Sequence, residues 1–208
     1  GIQSNSYITV NGVSNNFQDA VRNGTTQVAQ LEGVASSYVL NFNPTFNLPA
    51  DLAEAVGDIS GTYFGFGHTE LAENLAGVID TASKNGVTGL RLVGHSQGAA
   101  ITTSALRYAA DNGLNLSAIG SVNLHGAPIS DLFVNNSLSK RTGISKASFF
   151  TRAQFGDPVH NIFGANFISN PLSLPFSAVR IPHLFSHDAT LSPHTVPCFG
   201  GRMSLCSR

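Results

Sequence analysis

Short apolar runs alternate with longer stretches of helical period along most of the chain. Tyr7–Val10 is a β-rich run closed by Asn11-Gly12, a strong turn pair. Asn16–Leu31 reads as a helix despite Gly24, and Tyr38–Phe42 as a second strand ended by Asn43-Pro44. Thr69–Lys84 sets Leu71, Leu75, Val78, Ile79 and Ala82 on one helical face, with Asn85-Gly86 as the stop. Leu90–Val93 is a third strand, followed by an Ala-rich helix over Ala99–Ala110 that ends at Asp111-Asn112-Gly113. Ala118–Leu124 and Ser148–Ala153 continue the strand series, and Ala178–Ile181 is expected to add a sixth. Strands alternating with helices of this length predict an α/β fold, a mostly parallel central sheet with helices on both faces.

Two stretches break the rhythm. Residues 43–67 and 157–182 are punctuated by Gly and Pro and rich in apolar and aromatic residues. They read as insertions into one domain spanning 1–208. Each follows a strand, so each is expected at the carboxyl edge of the sheet, where such folds place their sites.

The first glycine-flanked serine explains what that edge is for. In Gly94-His95-Ser96-Gln97-Gly98 the serine sits between an apolar strand and a helix. Strand, G-x-S-x-G, helix is the layout of a nucleophile elbow, a turn that lifts a serine hydroxyl above the sheet. A serine hydroxyl attacks only when a base takes its proton and an acid orients that base. Elbow serines are followed along the chain by the acid and then the histidine. Asp157, in a Gly-Asp-Pro turn just past a strand, is the expected acid, with Asp131 as the fallback. The base is expected near the C-terminus, at His194, with His187 and His183 as alternatives. His95 is expected to point away from the site, and His68, His125 and His160 read as ordinary loop or strand-end groups. The oxyanion needs two N–H donors. These are expected from the backbone of Gln97, at the start of a helix, and of Val13, with Ser14 as the less favoured choice.

Composition narrows the class. The chain has 208 residues and is 42% hydrophobic, enough for a real core. Only 11% of residues are charged, against about a quarter in typical domains. A net charge of -1 with mixed signs argues against nucleic-acid binding. The histidines are scattered, so neither a metal nor a cofactor is expected. Cys198 and Cys206, both near the C-terminus, leave open a small disulfide loop, which would imply an oxidising compartment. The chain begins at Gly1 rather than Met and reads as a fragment or processed product.

With elbow, acid turn and late histidine in order, the sequence resembles an α/β-hydrolase lacking the first antiparallel strands. "TVNGVSNN", "LNFNPT", "GHSQGA" and "GDPV" resemble the lipase-type toxin and effector domains at the C-terminal ends of large secreted bacterial proteins. That resemblance implies hydrolysis of membrane phospholipids or other acyl esters through an acyl-enzyme. It also implies contact with a membrane surface, secretion or delivery into a target cell, and a cognate immunity protein in the producer. Cutinase-like esterases share the G-x-S-Q-G elbow and the Gly-Asp turn, but their histidine follows the acid closely, whereas His194 lies well beyond Asp157. They represent the alternative, a soluble short-chain esterase or thioesterase. A catalytically dead hydrolase fold used for binding is the reading from a different class.

Overall fold

Five of the apolar runs pair side by side. β1 (Tyr7–Val10), β2 (Tyr38–Asn41), β3 (Leu90–His95), β4 (Ile119–His125) and β5 (Phe149–Arg152) form one sheet in the order β2-β1-β3-β4-β5. Every adjacent pair is parallel. The computed structural model describes residues 1–12, 16–32, 37–42, 48–153, 157–168 and 171–180. Side chains alternate across the sheet, so each strand feeds two faces. Ile8, Val10, Leu90, Leu92, Val122 and Leu124 point to one face and form the main core. There they meet helices α3 (Glu70–Lys84) and α4 (Gln97–Asp111) through Leu75, Ile79, Ile101 and Leu106. Tyr7 and Val93 point to the other face and pack on Val28 of α1 (Phe17–Glu32). Helices therefore cover both faces of a parallel sheet, an α/β architecture.

Local chemistry sets the helix ends. Thr69 caps α3 by accepting from the N–H of Ala72 at 3.2 Å. Glu70 and Glu73 lie in its first turn and Lys84 in its last, each matching the helix dipole. At the end of α1, Glu32 pairs with Arg91 of β3 and accepts from Tyr7 of β1, which ties the helix to the sheet. After β4 the chain runs through α5 (Asp131–Phe133), a π-helical turn (Val134–Leu138) and α6 (Ser139–Thr142).

Two expectations are corrected. Within 43–67, Leu48–Phe64 forms a 17-residue helix, α2, rather than irregular chain. Gly57 and Gly61 act there as close-contact positions, not turns. A Cβ on Gly61 would lie 2.6 Å from both His68 Nδ1 and Ser104 Oγ of α4. The sixth strand does not form either: α7 (Ser173–Arg180) occupies 178–180. Pro175 is tolerated because it falls in the first turn, where backbone N–H groups lack partners within the helix. The rest of 157–180 includes a π-helical turn (Val159–Phe163) and a 3-10 turn (Asn166–Ile168).

Parallel strands bring all five carboxyl ends to one edge. Register places His95 beside His125, and His125 beside Arg152. The N–H of Ser96 donates to the carbonyl of His125 at 2.9 Å, and that of Gly126 to Arg152 at 2.8 Å. Ser96, the 126–131 loop and Asp157 thus leave the sheet at neighbouring strand ends.

Candidate active site

Ser96 stands between the last residue of β3 and the first of α4, with φ 56° and ψ −126°. A side-chain-bearing residue rarely adopts that conformation, which costs roughly 1–3 kcal/mol. It lets the chain reverse from strand to helix within one residue. The flanking glycines make the reversal sterically feasible. A Cβ on Gly98 would lie 2.2 Å from the carbonyl oxygen of Val10, and one on Gly94 2.6 Å from that of Gly98. The start of α4 therefore rests directly on the end of β1.

Gly12 closes the other side. Its missing Cβ would sit 2.8 Å from Ser96 Cβ and 3.4 Å from Ser96 Oγ. Asn11, also buried, donates its side-chain amide to the carbonyl of Gly12 at 3.0 Å. The backbone after β1 thus runs within contact distance of the serine, on the side where the expected second oxyanion donor would stand. Val13 and Ser14, the expected donor and its alternative, lie outside the described residues. Gln97, the other expected donor, is the buried first residue of α4. A first-turn N–H has no partner within its own helix and carries the positive end of the dipole.

Asp157 is fully buried beyond the end of β5. Its Oδ1 accepts from the N–H of Val159 at 2.9 Å and of His160 at 3.3 Å. The carboxyl is thereby oriented by the turn it caps. The spacing between neighbouring strands, about 4.8 Å, puts the ends of β3 and β5 about 10 Å apart. His194, His187 and His183 lie outside the described residues, as do Cys198 and Cys206.

The described histidines occupy other places. His95 lines a small pocket with Thr9, Asn23 and Gln27, on the α1 side of the sheet. His125 alternates with Leu124, so it points away from the α4 face, and it is buried. Burial, with Arg152 as a second cause, lowers its pKa to about 4 and keeps the ring neutral. His68 Nδ1 lies 2.8 Å from Ser104 Oγ, and burial also lowers its pKa.

Sequence reasoning missed a set of buried asparagines that fasten the 157–180 segment. Asn161 donates to the carbonyl of Asp157 at 2.9 Å and to Ser177 Oγ of α7 at 3.2 Å. Asn166 donates to the carbonyls of His160 and Ile129 and accepts from the N–H of Asp131 at 2.9 Å. His160 Nε2 lies 3.6 Å from Asp131 Oδ2, so the fallback acid faces a histidine of its own. Asparagine in a loop carries no signal of such a role, because its partners are backbone groups distant in sequence. Among the described residues no group of three or more His, Cys, Asp or Glu could hold a metal ion. None of their helices is long and apolar enough to cross a membrane.

No family model matches the chain, and no curated protein matches it in sequence. Solved structures show a distant structural likeness to it. A Trichoderma reesei cutinase in complex with a C11Y4 phosphonate inhibitor is 15% identical, with a TM-score of 0.45 over 85% of this chain and 76% of that one. A cutinase-like protein from Cryptococcus sp. is 18% identical, with a TM-score of 0.43 over 85% of this chain and 95% of that one.

Proposed function

We propose that the protein is a serine hydrolase of carboxylic esters, with Ser96 as nucleophile. The observation that carries this reading is the backbone of Ser96, held at φ 56° and ψ −126° between β3 and α4. A fold retains such strain at a serine when the position of the hydroxyl matters. In the proposed cycle, Ser96 Oγ attacks the acyl carbonyl carbon and its proton passes to the histidine base. The oxyanion is met by the N–H of Gln97 and by the amide of Val13. The base then protonates the departing alcohol, leaving the acyl group on Ser96. Water attacks that ester, gives its proton to the base, and the carboxylic acid leaves as Ser96 recovers its hydrogen. His194 is the proposed base, ahead of His187 and His183, and Asp157 is the acid that orients it.

The substrate proposed is a lipid ester. The motif resemblance to lipase-type toxin domains supports it, and so do Phe163, Ile168 and Leu172, exposed on the segment that starts at the acid. Delivery into a target cell and a neutralising immunity protein belong to the same reading and rest on that resemblance. A soluble short-chain ester, as the cutinase-like elbow implies, is the competing substrate. A fluorophosphonate probe tests the chemistry: it should label Ser96 in the native chain and fail on Ser96→Ala. An unlabelled, ester-inactive native protein would remove the hydrolase reading. Mass measurement of fatty acid and lysolipid released from defined phospholipids then separates the two substrates.

A further inference from the structure

The edge of the sheet opposite Ser96 carries a cleft that the proposed reaction does not use. It lies where two connections enter neighbouring strands: residues 112–118 join α4 to β4, and residues 143–148 join α6 to β5. Between them is a cavity of about 610 Å³, within the size range of small-molecule sites. It reaches Ile119, the first residue of β4, and Ser148, the residue before β5. β4 is seven residues long, so the cleft stands roughly 20 Å from the serine edge.

Hydrogen bonding within the walls uses acceptors and leaves donors. Asn115 Oδ1 accepts from the N–H of Ser117 at 2.9 Å, and Asn115 Nδ2 has no partner among the described residues. Ser145 Oγ accepts from the N–H of Ala147 at 3.2 Å, which leaves its own O–H. Thr142 Oγ1 is satisfied inside the wall, donating to the carbonyl of Leu138 at 2.8 Å and accepting from the N–H of Ile144 at 3.3 Å. Arg141 gives its Nε to Asp111, and neither of its terminal nitrogens has a partner among the described residues. The carbonyls that end α4 would repel an anion, but they are covered. Tyr108, Ala109 and Ala110 accept from the N–H groups of Asn112, Leu114 and Gly113.

Charge points the same way. Asp111 is shared by two arginines, Arg107 and Arg141. Asp80, whose Oδ1 accepts from the N–H of Asn115 at 2.8 Å, is balanced by Lys84 at 2.6 Å. Lys140 precedes Arg141 in α6, and Lys146 lies between Ser145 and Ser148 of the lining; both are exposed. Lys146 donates to a neutral partner, Asn136 Oδ1, at 2.9 Å. Arg107, Lys140, Arg141 and Lys146 thus meet the single carboxylate of Asp111, an excess of three positive charges. A guanidinium with both terminal nitrogens open suits an oxyanion, and the local excess favours a doubly charged one. We propose that this cleft binds a phosphate monoester, held by Arg141, Asn115 and Ser145, with its organic part against the half-buried Leu114 and Ile119. The site goes beyond the hydrolase reading and shares no residue with the serine edge.

The test titrates the full chain with phenyl phosphate and with benzoate, by calorimetry and by amide NMR shifts. Phenyl phosphate should shift amides in 113–117 and 141–148, bind about tenfold or more tightly than benzoate, and weaken with salt. Arg141→Gln should weaken it about tenfold to a hundredfold, and Arg141→Lys by less, because the fork is lost and the charge kept. Asn115→Asp keeps the oxygen that accepts from Ser117 but replaces the free amide by negative charge. It should weaken binding about tenfold or more at an unchanged melting temperature. Where Arg141→Gln lowers the melting temperature by losing the Asp111 bond, Asn115→Asp decides alone. Ser96→Ala should bind phenyl phosphate as the native chain does. No binding of phenyl phosphate at millimolar concentration overturns the site, as does binding that Asn115→Asp leaves unchanged. Binding that Ser96→Ala abolishes also overturns it, since the phosphate would then sit at the serine. Benzoate bound as tightly as phenyl phosphate overturns the choice of ligand. Lost fluorophosphonate labelling with intact phosphate binding removes the hydrolase and leaves this site standing.

Discussion

The backbone N–H of Ser96 donates to the carbonyl of His125, 2.9 Å away on the neighbouring strand. The serine has already left the regular path of β3, yet its amide still pairs with β4. That bond holds the strained turn in place, and it sets the start of the 126–131 loop beside Ser96.

Ser96→Ala should abolish ester turnover by roughly 10⁴-fold or more while the protein stays folded. Ser96→Gly should be equally inactive but more stable by about 1 kcal/mol, because glycine adopts φ 56° without steric cost. In a chain of this length that raises the melting temperature by about 2–4 °C. Calorimetry of the two variants checks this, and a Ser96→Gly protein less stable than Ser96→Ala would contradict the strain.

Gly98→Ala and Gly12→Ala should separate fold from function. The Cβ of the first meets the Val10 carbonyl oxygen at 2.2 Å, backbone against backbone, so α4 must move off β1. A loss of about 3 kcal/mol or more is expected in urea denaturation. The Cβ of the second meets Ser96 Cβ at 2.8 Å, so it should lower turnover out of proportion to its effect on stability.

Asp157→Asn should fold normally and lose turnover by about 10³- to 10⁴-fold. An amide oxygen can still accept from Val159 and His160, but it neither orients the imidazole correctly nor balances its charge. Asp157→Ala should lose the cap as well, lowering stability by a further 1 kcal/mol or so. Among the C-terminal histidines, His194→Ala should match Ser96→Ala, while His187→Ala and His183→Ala stay active. Kinetics of the set, with melting temperatures, decides both assignments.

Acid should destabilise the protein through His125. Its folded pKa is lowered to about 4, below the unfolded value of about 6.5, because burial disfavours the charged ring. The unfolded chain therefore binds the proton more readily. Stability is full above about pH 6.5 and falls as pH drops toward 4, by about 3 kcal/mol in total. His68, also lowered by burial, acts in the same direction. Urea midpoints at neutral and acid pH, compared between the native chain and His125→Gln, should show a flatter pH dependence in the variant.

The tight turn at Ser96 and the strand-and-helix alternation were legible in the sequence because each is written in adjacent residues. The period of apolar positions set α1, α3 and α4 to within a few residues of their observed ends. Gly94 and Gly98 announced a tight turn whatever the rest of the chain did. Residues 48–64 were misread because glycine has two uses. Gly61 serves an approach to His68 and Ser104, and no local signal separates that from a turn. The run at 178–181 was misread because a short apolar segment has no period long enough to distinguish strand from helix. Tertiary structure alone decided the rest. It put Gly12 against Ser96, set Asp131 opposite His160, and fastened both insertions to the loop after β4. Those contacts join residues far apart in sequence through backbone carbonyls and amides, groups that every residue carries and that no pattern of side chains can mark in advance.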